Sequence, residues 1–236
     1  SISGAILYDE TIRQSTKNGT PLIKISESAG IIPGIKVDAG AKELAGHPQE
    51  LVTEGLDGLR ERLKEYYELG ARFAKWRAVY NITQTLPSTQ AISANAEMLA
   101  RYAAICQEND IVPIVEPEVL MDGSHTLERC QHVTEEVLHE VFIALDRHHV
   151  ALKHIVLKPS MVISGSTCTH RADAQTVAEM TVATLKKCVP TSVRTINFLS
   201  GGQTDEDATL HLDLMNKRGP FPWNLSYSYG RALQAA

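Results

Sequence analysis

The stretch HIVLKPSMV (His154–Val162) puts a primary amine at the end of an apolar run. Ile155, Val156 and Leu157 read as a buried strand. Pro159 cannot donate to a sheet ladder, so the strand is predicted to stop there. Lys158 needs a reason, because lysine is almost never fully buried unless paired. Segments of similar character recur on both sides of it. They are ISGAILYD (2–9), IPGIKVD (32–38), FAKWRAVY (73–80), IVPIVEPE (111–118), TINFLSG (195–201) and NLSYSYG (224–230). With HIVLKP (154–159) they make seven strands.

Helical patterns separate most of these strands. Residues 49–69 place Val52, Leu56, Leu59, Leu63 and Tyr66 on one helical face, with Gly70 at the position that follows a helix end. Further helices are predicted over 87–106, 126–148, 172–187 and 205–216, the first opening with Pro87-Ser88. Strands that alternate with helices imply βαβ units and a parallel sheet. The polar residues near successive strand ends sharpen this reading. Lys36, Lys75, Glu116, Lys158, Ser200 and Arg231 follow one another at intervals of 39, 41, 42, 42 and 31 residues. A repeating unit length with a polar residue at each strand end is what a (β/α) barrel produces. An open doubly wound sheet would put its site at one switch point instead. The expectation is one α/β domain over residues 1–236, a (β/α)8 TIM barrel.

Composition narrows the function classes. A net charge of -5, 43% hydrophobic and 22% charged residues suit a globular chain with a large core and argue against a nucleic-acid partner. No apolar run approaches the roughly 18 residues of a membrane span, and SISGAILYDE lacks the basic start of a signal peptide. Cys106, Cys130, Cys168 and Cys188 form no CxxC pair. They read as free, mostly buried thiols in a reducing, cytoplasmic setting.

The strand ends carry the chemistry. Side chains two apart on a strand share a face, which pairs Lys36 with Asp38, Lys75 with Arg77, and Glu116 with Glu118. A barrel would turn all three pairs and Lys158 toward one mouth. A free lysine has a pKa near about 10.4, and burial and neighbouring cations lower it. The freed amine of Lys158 can then attack a carbonyl. Converting the resulting carbinolamine to an imine requires a carboxyl group to move protons, and Glu116 and Glu118 are the candidates. After the last two strands, FLSGGQ (198–203) and SYSYGR (226–231) bring serine and glycine together. Loops in this place often bind phosphate, with Arg231 as a bidentate fork. The residues alone therefore predict an imine-forming barrel enzyme acting on a phosphorylated carbonyl compound.

GIKVDAG, TEGLDGLRER, FAKWR, ARYAAICQENDIVPIVEPEVL, LKPSMV, FLSGGQ and SYGRALQA occur in the same order in the class I fructose-1,6-bisphosphate aldolases, which this chain resembles over essentially its whole length. The resemblance implies reversible cleavage of fructose 1,6-bisphosphate into dihydroxyacetone phosphate and glyceraldehyde 3-phosphate, with no metal or cofactor. It implies Lys158 as the Schiff-base lysine and Glu116 as the acid/base that dehydrates the carbinolamine. Lys75 stands beside the carbinolamine, and Glu118 holds the charge network. Lys36 and Arg77, with Asp38 beside them, lie toward the second phosphate. Ser200, Gly201, Gly202, Ser228, Gly230 and Arg231 serve the phosphate on the ketose half. It also implies a homotetramer. Two departures stand out. Where the family reads LKPNMV, Ser160 gives LKPSMV, with a small effect expected. The seven strands match the family's second to eighth, so the first strand, with its aspartate, and the C-terminal tail have no counterpart in the chain.

Three other readings compete. A metal-dependent aldolase would use some of the nine histidines, but Glu136 and His139 and the pair His148-His149 fall on a helix pattern and its end. Another Schiff-base barrel enzyme of transaldolase type shares the lysine but lacks the double phosphate apparatus. A barrel kept as a binding scaffold would not need an intact Lys158 and Glu116.

Overall fold

Every other residue of FAKWRAVY is polar or faces a different partner from its neighbours, and the structure shows why. In the computed structural model, which describes residues 2–230, Trp76 is fully buried and its ring stacks on Tyr102 at 5.5 Å. Ala74, Trp76 and Ala78 thus face a layer of helices. Phe73, Lys75 and Arg77 face the opposite, inner side.

The strands in chain order are β1 (Gly4–Leu7), β2 (Ile32–Lys36), β3 (Gly40–Glu43), β4 (Leu51–Glu54), β5 (Phe73–Tyr80), β6 (Val112–Val119), β7 (Val156–Leu157), β8 (Thr195–Phe198) and β9 (Asn224–Tyr227). The helices are α1 (Asp9–Ile12), α2 (Leu22–Ser28), α3 (Leu59–Leu69), α4 (Thr89–Glu108), α5 (Leu127–Arg147), α6 (Ala174–Cys188) and α7 (Asp205–Asn216). Seven strands form one parallel sheet in the order β1-β2-β5-β6-β7-β8-β9. Neighbours in this order are also successive along the chain once the β3–β4 pair is set aside, as in a (β/α) barrel. Among the described residues β1 pairs only with β2, and β9 only with β8.

Local chemistry explains the helix starts. Ser88, Thr126, Asp173 and Thr204 each accept a hydrogen bond from the N–H three residues on, opening α4, α5, α6 and α7. Gly70 closes α3 with φ 115°, a left-handed conformation that favours glycine. The inner base of the sheet is plugged by Phe73. A Cβ at Gly34 would lie 2.1 Å from its ring, and one at Gly4 would lie 3.0 Å from it.

Some expectations need correction. The helix predicted over 49–69 begins only at Leu59, and residues 51–54 form β4, paired antiparallel with β3. Gly55 (φ 130°) and Gly58 (φ 62°) break the helix register. The inward residue of β4 is Thr53, whose hydroxyl donates to the Arg77 carbonyl at 2.7 Å and whose N–H donates to Asn95 Oδ1 at 3.1 Å. The hairpin is therefore docked by polar contacts that apolar periodicity does not register. The strand predicted over 154–159 shortens to Val156–Leu157, because residues 152–154 form a 3₁₀ turn. Lys75 and Glu116 lie inside β5 and β6 rather than at their ends, since both strands continue to Tyr80 and Val119. The cysteines are free; Cys106 and Cys130 are buried, but Cys168 and Cys188 are partly exposed.

Candidate active site

The register of β5 against β6 sets Lys75 beside Ile114 and Arg77 beside Glu116. Each inner-face cation then reaches diagonally to a carboxylate. Lys75 Nζ donates to Glu116 Oε2 at 2.7 Å, and Arg77 Nε donates to Glu118 Oε2. Just past the next strand, β7, the Lys158 N–H is fixed to the Val115 carbonyl at 2.8 Å. Lys158 Nζ then lies 2.9 Å from Glu116 Oε1. One carboxylate thus stands between two ammonium groups. Glu116 is 3% exposed and Lys158 7%.

The β2 side completes the cluster. Lys36 Nζ donates to Asp38 Oδ1 at 2.5 Å. Asp38 also accepts the Gly40 N–H at 3.1 Å and, through its other oxygen, the Arg77 N–H at 3.3 Å. Arg62 of α3 donates to the carbonyls of Val37 (3.0 Å) and Gly55 (2.6 Å), tying the end of β2 to the β3–β4 hairpin. Of the eight charged site residues singled out from the sequence, the seven among the described residues are brought together: Lys36, Asp38, Lys75, Arg77, Glu116, Glu118 and Lys158.

Burial is the main influence on Lys158, and it lowers the amine's pKa below the ordinary lysine value of 10.5. Glu116 opposes that shift by attracting the charged form, and the Lys75 ammonium adds to it by repulsion. The Glu118 hydrogen bond holds the Arg77 guanidinium firmly charged. An amine whose proton is loosened, in hydrogen-bond contact with a buried carboxylate, can add to a carbonyl and have water removed from the adduct.

The other residues lie after adjacent strands. Ser200, Gly201 and Gly202 follow β8, and Ser228 and Gly230 follow β9, with Phe198 paired to Tyr227. The Ser228 N–H donates to the Phe198 carbonyl at 2.9 Å, so the two strand exits run side by side. Gly201 and Gly202 have φ of 60° and 88°. Among the described residues their N–H groups have no hydrogen-bond acceptor, which leaves them available to an anion. Arg231 lies outside the described residues. Ser160, the departure from the LKPNMV pattern, is buried and donates to the Val119 carbonyl at 2.8 Å, tying β6 to the segment after Lys158.

The histidines weighed as metal ligands lie on the helix layer. Glu136 contacts His132 at 3.4 Å and His148 contacts Glu97 at 3.0 Å. No group of three or more His, Cys, Asp or Glu able to hold a metal ion occurs among the described residues. Sequence reasoning missed Asn95, which is fully buried and donates to the carbonyls of Leu51 (2.8 Å) and Ala91 (3.0 Å) besides accepting from Thr53. An asparagine at an apolar-face position of α4 was its one visible signal.

The comparisons with known proteins agree with one another. The family model described as glycolytic, fructose-bisphosphate aldolase class-I, matches residues 1–236. The probable fructose-bisphosphate aldolase class 1 of Xanthomonas campestris pv. campestris is 61% identical over 235 residues, which span 100% of this chain and 70% of that protein. Fructose-bisphosphate aldolase 1 of Toxoplasma gondii is 54% identical over 237 residues, spanning 100% of this chain and 65% of that one. A solved structure of fructose-bisphosphate aldolase from Plasmodium falciparum, in complex with TRAP and a small-molecule inhibitor, superposes with a TM-score of 0.97 at 50% identity. It covers 99% of this chain and 68% of the other.

Proposed function

The chain belongs to the class-I fructose-bisphosphate aldolases and has their aldolase function, and we propose that it works through Lys158 as the Schiff-base lysine and Glu116 as the acid/base beside it. The observation that carries this reading is the placement of Glu116 between Lys158 (2.9 Å) and Lys75 (2.7 Å). The Lys158 lone pair adds to the C2 carbonyl of fructose 1,6-bisphosphate, and the carbonyl oxygen becomes the carbinolamine hydroxyl. Glu116 delivers a proton to that hydroxyl, water leaves, and a protonated imine remains. Glu116, now ionised, takes the proton of the C4 hydroxyl, the electron pair of the C3–C4 bond moves into the imine as an enamine, and glyceraldehyde 3-phosphate departs. Protonation of the enamine at C3 and return of water release dihydroxyacetone phosphate and the free lysine.

Lys75, the nearest cation to both groups, keeps the Lys158 proton loose and orients Glu116. Glu118 fixes Arg77, and Asp38 fixes Lys36, so that both cations face the distal phosphate. Ser200, Gly201, Gly202, Ser228 and Gly230 hold the ketose-half phosphate, with Arg231 assigned there by family pattern. Residues 1–236 are read as one barrel domain contributing strands two to eight. The working form is read as a cytoplasmic homotetramer, and sedimentation of the purified protein tests its oligomeric part. No helix of the described residues is long and apolar enough to cross a membrane.

Borohydride added with dihydroxyacetone phosphate is expected to trap a stable adduct on Lys158, located by peptide mass mapping. Lys158→Arg should abolish it. An adduct on another residue, or activity abolished by a chelator, refutes the assignment.

A further inference from the structure

Helix α7 presents Ala208, His211 and Met215 to the core, and the middle residue is a histidine where the pattern calls for an apolar side chain. His211 is 8% exposed. We infer that His211 is a positioning residue for the phosphate loop, holding the Ser200–Gly202 turn in place through the side chain of Gln203. The inference rests on the phosphate reading of that turn given above.

The contacts form a relay with a fixed direction. Gln203 Nε2 donates to the Ser200 carbonyl at 2.9 Å, and the Gln203 N–H donates to the same oxygen at 3.0 Å. A carbonyl only accepts, so the amide nitrogen must face Ser200 and the amide oxygen must face away. Gln203 Oε1 then accepts from His211 Nδ1 at 2.7 Å, which places a proton on Nδ1. Burial lowers the pKa of His211; Asp207 on the same helix and Arg171, ahead of α6, pull in opposite directions. The ring therefore serves as a neutral donor from inside the core.

The turn needs such a hold. Gly201 and Gly202 carry no side chains to pack and occupy left-handed conformations, so their ordering costs more backbone entropy than other residues would. Gln203 Nε2 also approaches Met161 Sδ at 3.6 Å, and the Leu199 N–H donates to the Pro159 carbonyl at 3.3 Å. Pro159 and Met161 flank the segment that leaves Lys158. The relay thus fixes the phosphate turn relative to the reactive amine, and such spacing governs how a phosphorylated carbonyl compound meets a nucleophile.

Borohydride trapping at Lys158 separates this role from a structural one when two ligands are compared. Dihydroxyacetone phosphate uses the turn, and dihydroxyacetone does not. His211→Leu fills the space but removes the donor, and it should raise the half-saturating concentration of dihydroxyacetone phosphate about tenfold. Dihydroxyacetone trapping should be unchanged. His211→Asn, whose amide nitrogen can occupy the Nδ1 place, should bring the phosphate ligand back to within about twofold of wild type. If His211→Leu does not fold, Gln203→Leu in the partly exposed turn breaks the same relay and should give the same tenfold shift. Unchanged dependence on dihydroxyacetone phosphate, or an equal shift for both ligands, overturns the inference. A wild-type chain that traps neither ligand at Lys158 overturns the functional reading instead, and this one with it.

Discussion

Replacing Glu116 by Gln keeps the shape of the side chain and removes the negative charge from between two ammonium groups. The distances of 2.7 and 2.9 Å correspond to about 6 kcal/mol of gross attraction each at an effective dielectric near 20. Desolvation cancels much of that, and removing a partner from a buried ion pair costs about 3–5 kcal/mol net. Lysine can shed its proton to limit the damage, so about 3 kcal/mol is expected at pH 7. The pH dependence identifies the cause. Glu116 attracts the charged form of Lys158, and without it the amine's pKa, already lowered by burial, falls further. The charged amine is then the penalised form in the folded state. That penalty is fully present below the variant's folded pKa and is relieved as pH rises through it. In the wild type the same relief comes at a higher pH. The stability gap should therefore be widest near neutrality and narrow as pH rises from the variant's folded value to that of the wild type. Urea unfolding at several pH values between 7 and 10 measures it. The same substitution should slow trapping of dihydroxyacetone phosphate by about 10²–10⁴-fold, the usual worth of a general acid. A gap independent of pH, or trapping within threefold of wild type, would refute the charge argument.

Gly34→Ala drives a methyl group to 2.1 Å from the Phe73 ring and should cost about 1–3 kcal/mol in urea unfolding, with Phe73→Leu recovering part of the loss in a double-mutant cycle. Asn95→Leu strips the Thr53 N–H and the Leu51 carbonyl of their partner, at about 1–3 kcal/mol for each group left unsatisfied. Faster amide exchange at Thr53 should accompany that loss. The rate of imine trapping should climb with pH as Lys158 loses its proton and level off with a midpoint below the ordinary lysine value of 10.5. A midpoint at or above 10.5 would remove the basis for calling burial the source of reactivity.

The parallel barrel strands were legible because their chemistry is local. FAKWRAVY alternates with period two, and Ser88, Thr126 and Thr204 mark their helix starts by residue type. The hairpin was not legible. Val52 falls into helical step with Leu56, Leu59, Leu63 and Tyr66, yet the residue that docks β4 is Thr53, through hydrogen bonds to residues 24 and 42 positions away. The inner-face residues Lys75 and Glu116 could be named from the sequence, and so could the strands that carry them, FAKWRAVY (73–80) and IVPIVEPE (111–118), which match β5 and β6 to within a residue. The relay of His211, Gln203 and Ser200 was hidden for a reason similar to the hairpin's. The sequence shows a histidine in an apolar stripe, and only the fold brings the turn against it.

The cluster also bears on why the proposed nucleophile is Lys158 rather than another of its four cations. Lys36 has Asp38 and Arg77 has Glu118. Lys75 and Lys158 share Glu116, one oxygen each. The cost of a buried charge falls hardest on the group with least access to water. Side-chain exposure is 43% for Arg77, 24% for Lys36, 12% for Lys75 and 9% for Lys158. Of the two cations that share Glu116, Lys158 is the less solvated. Moving Glu116 onto Lys75 alone would cost Lys158 its share, while a further carboxylate would hold its proton on. Adding an acidic residue beside Lys158 should therefore slow imine formation, read by borohydride trapping, even with every existing contact kept.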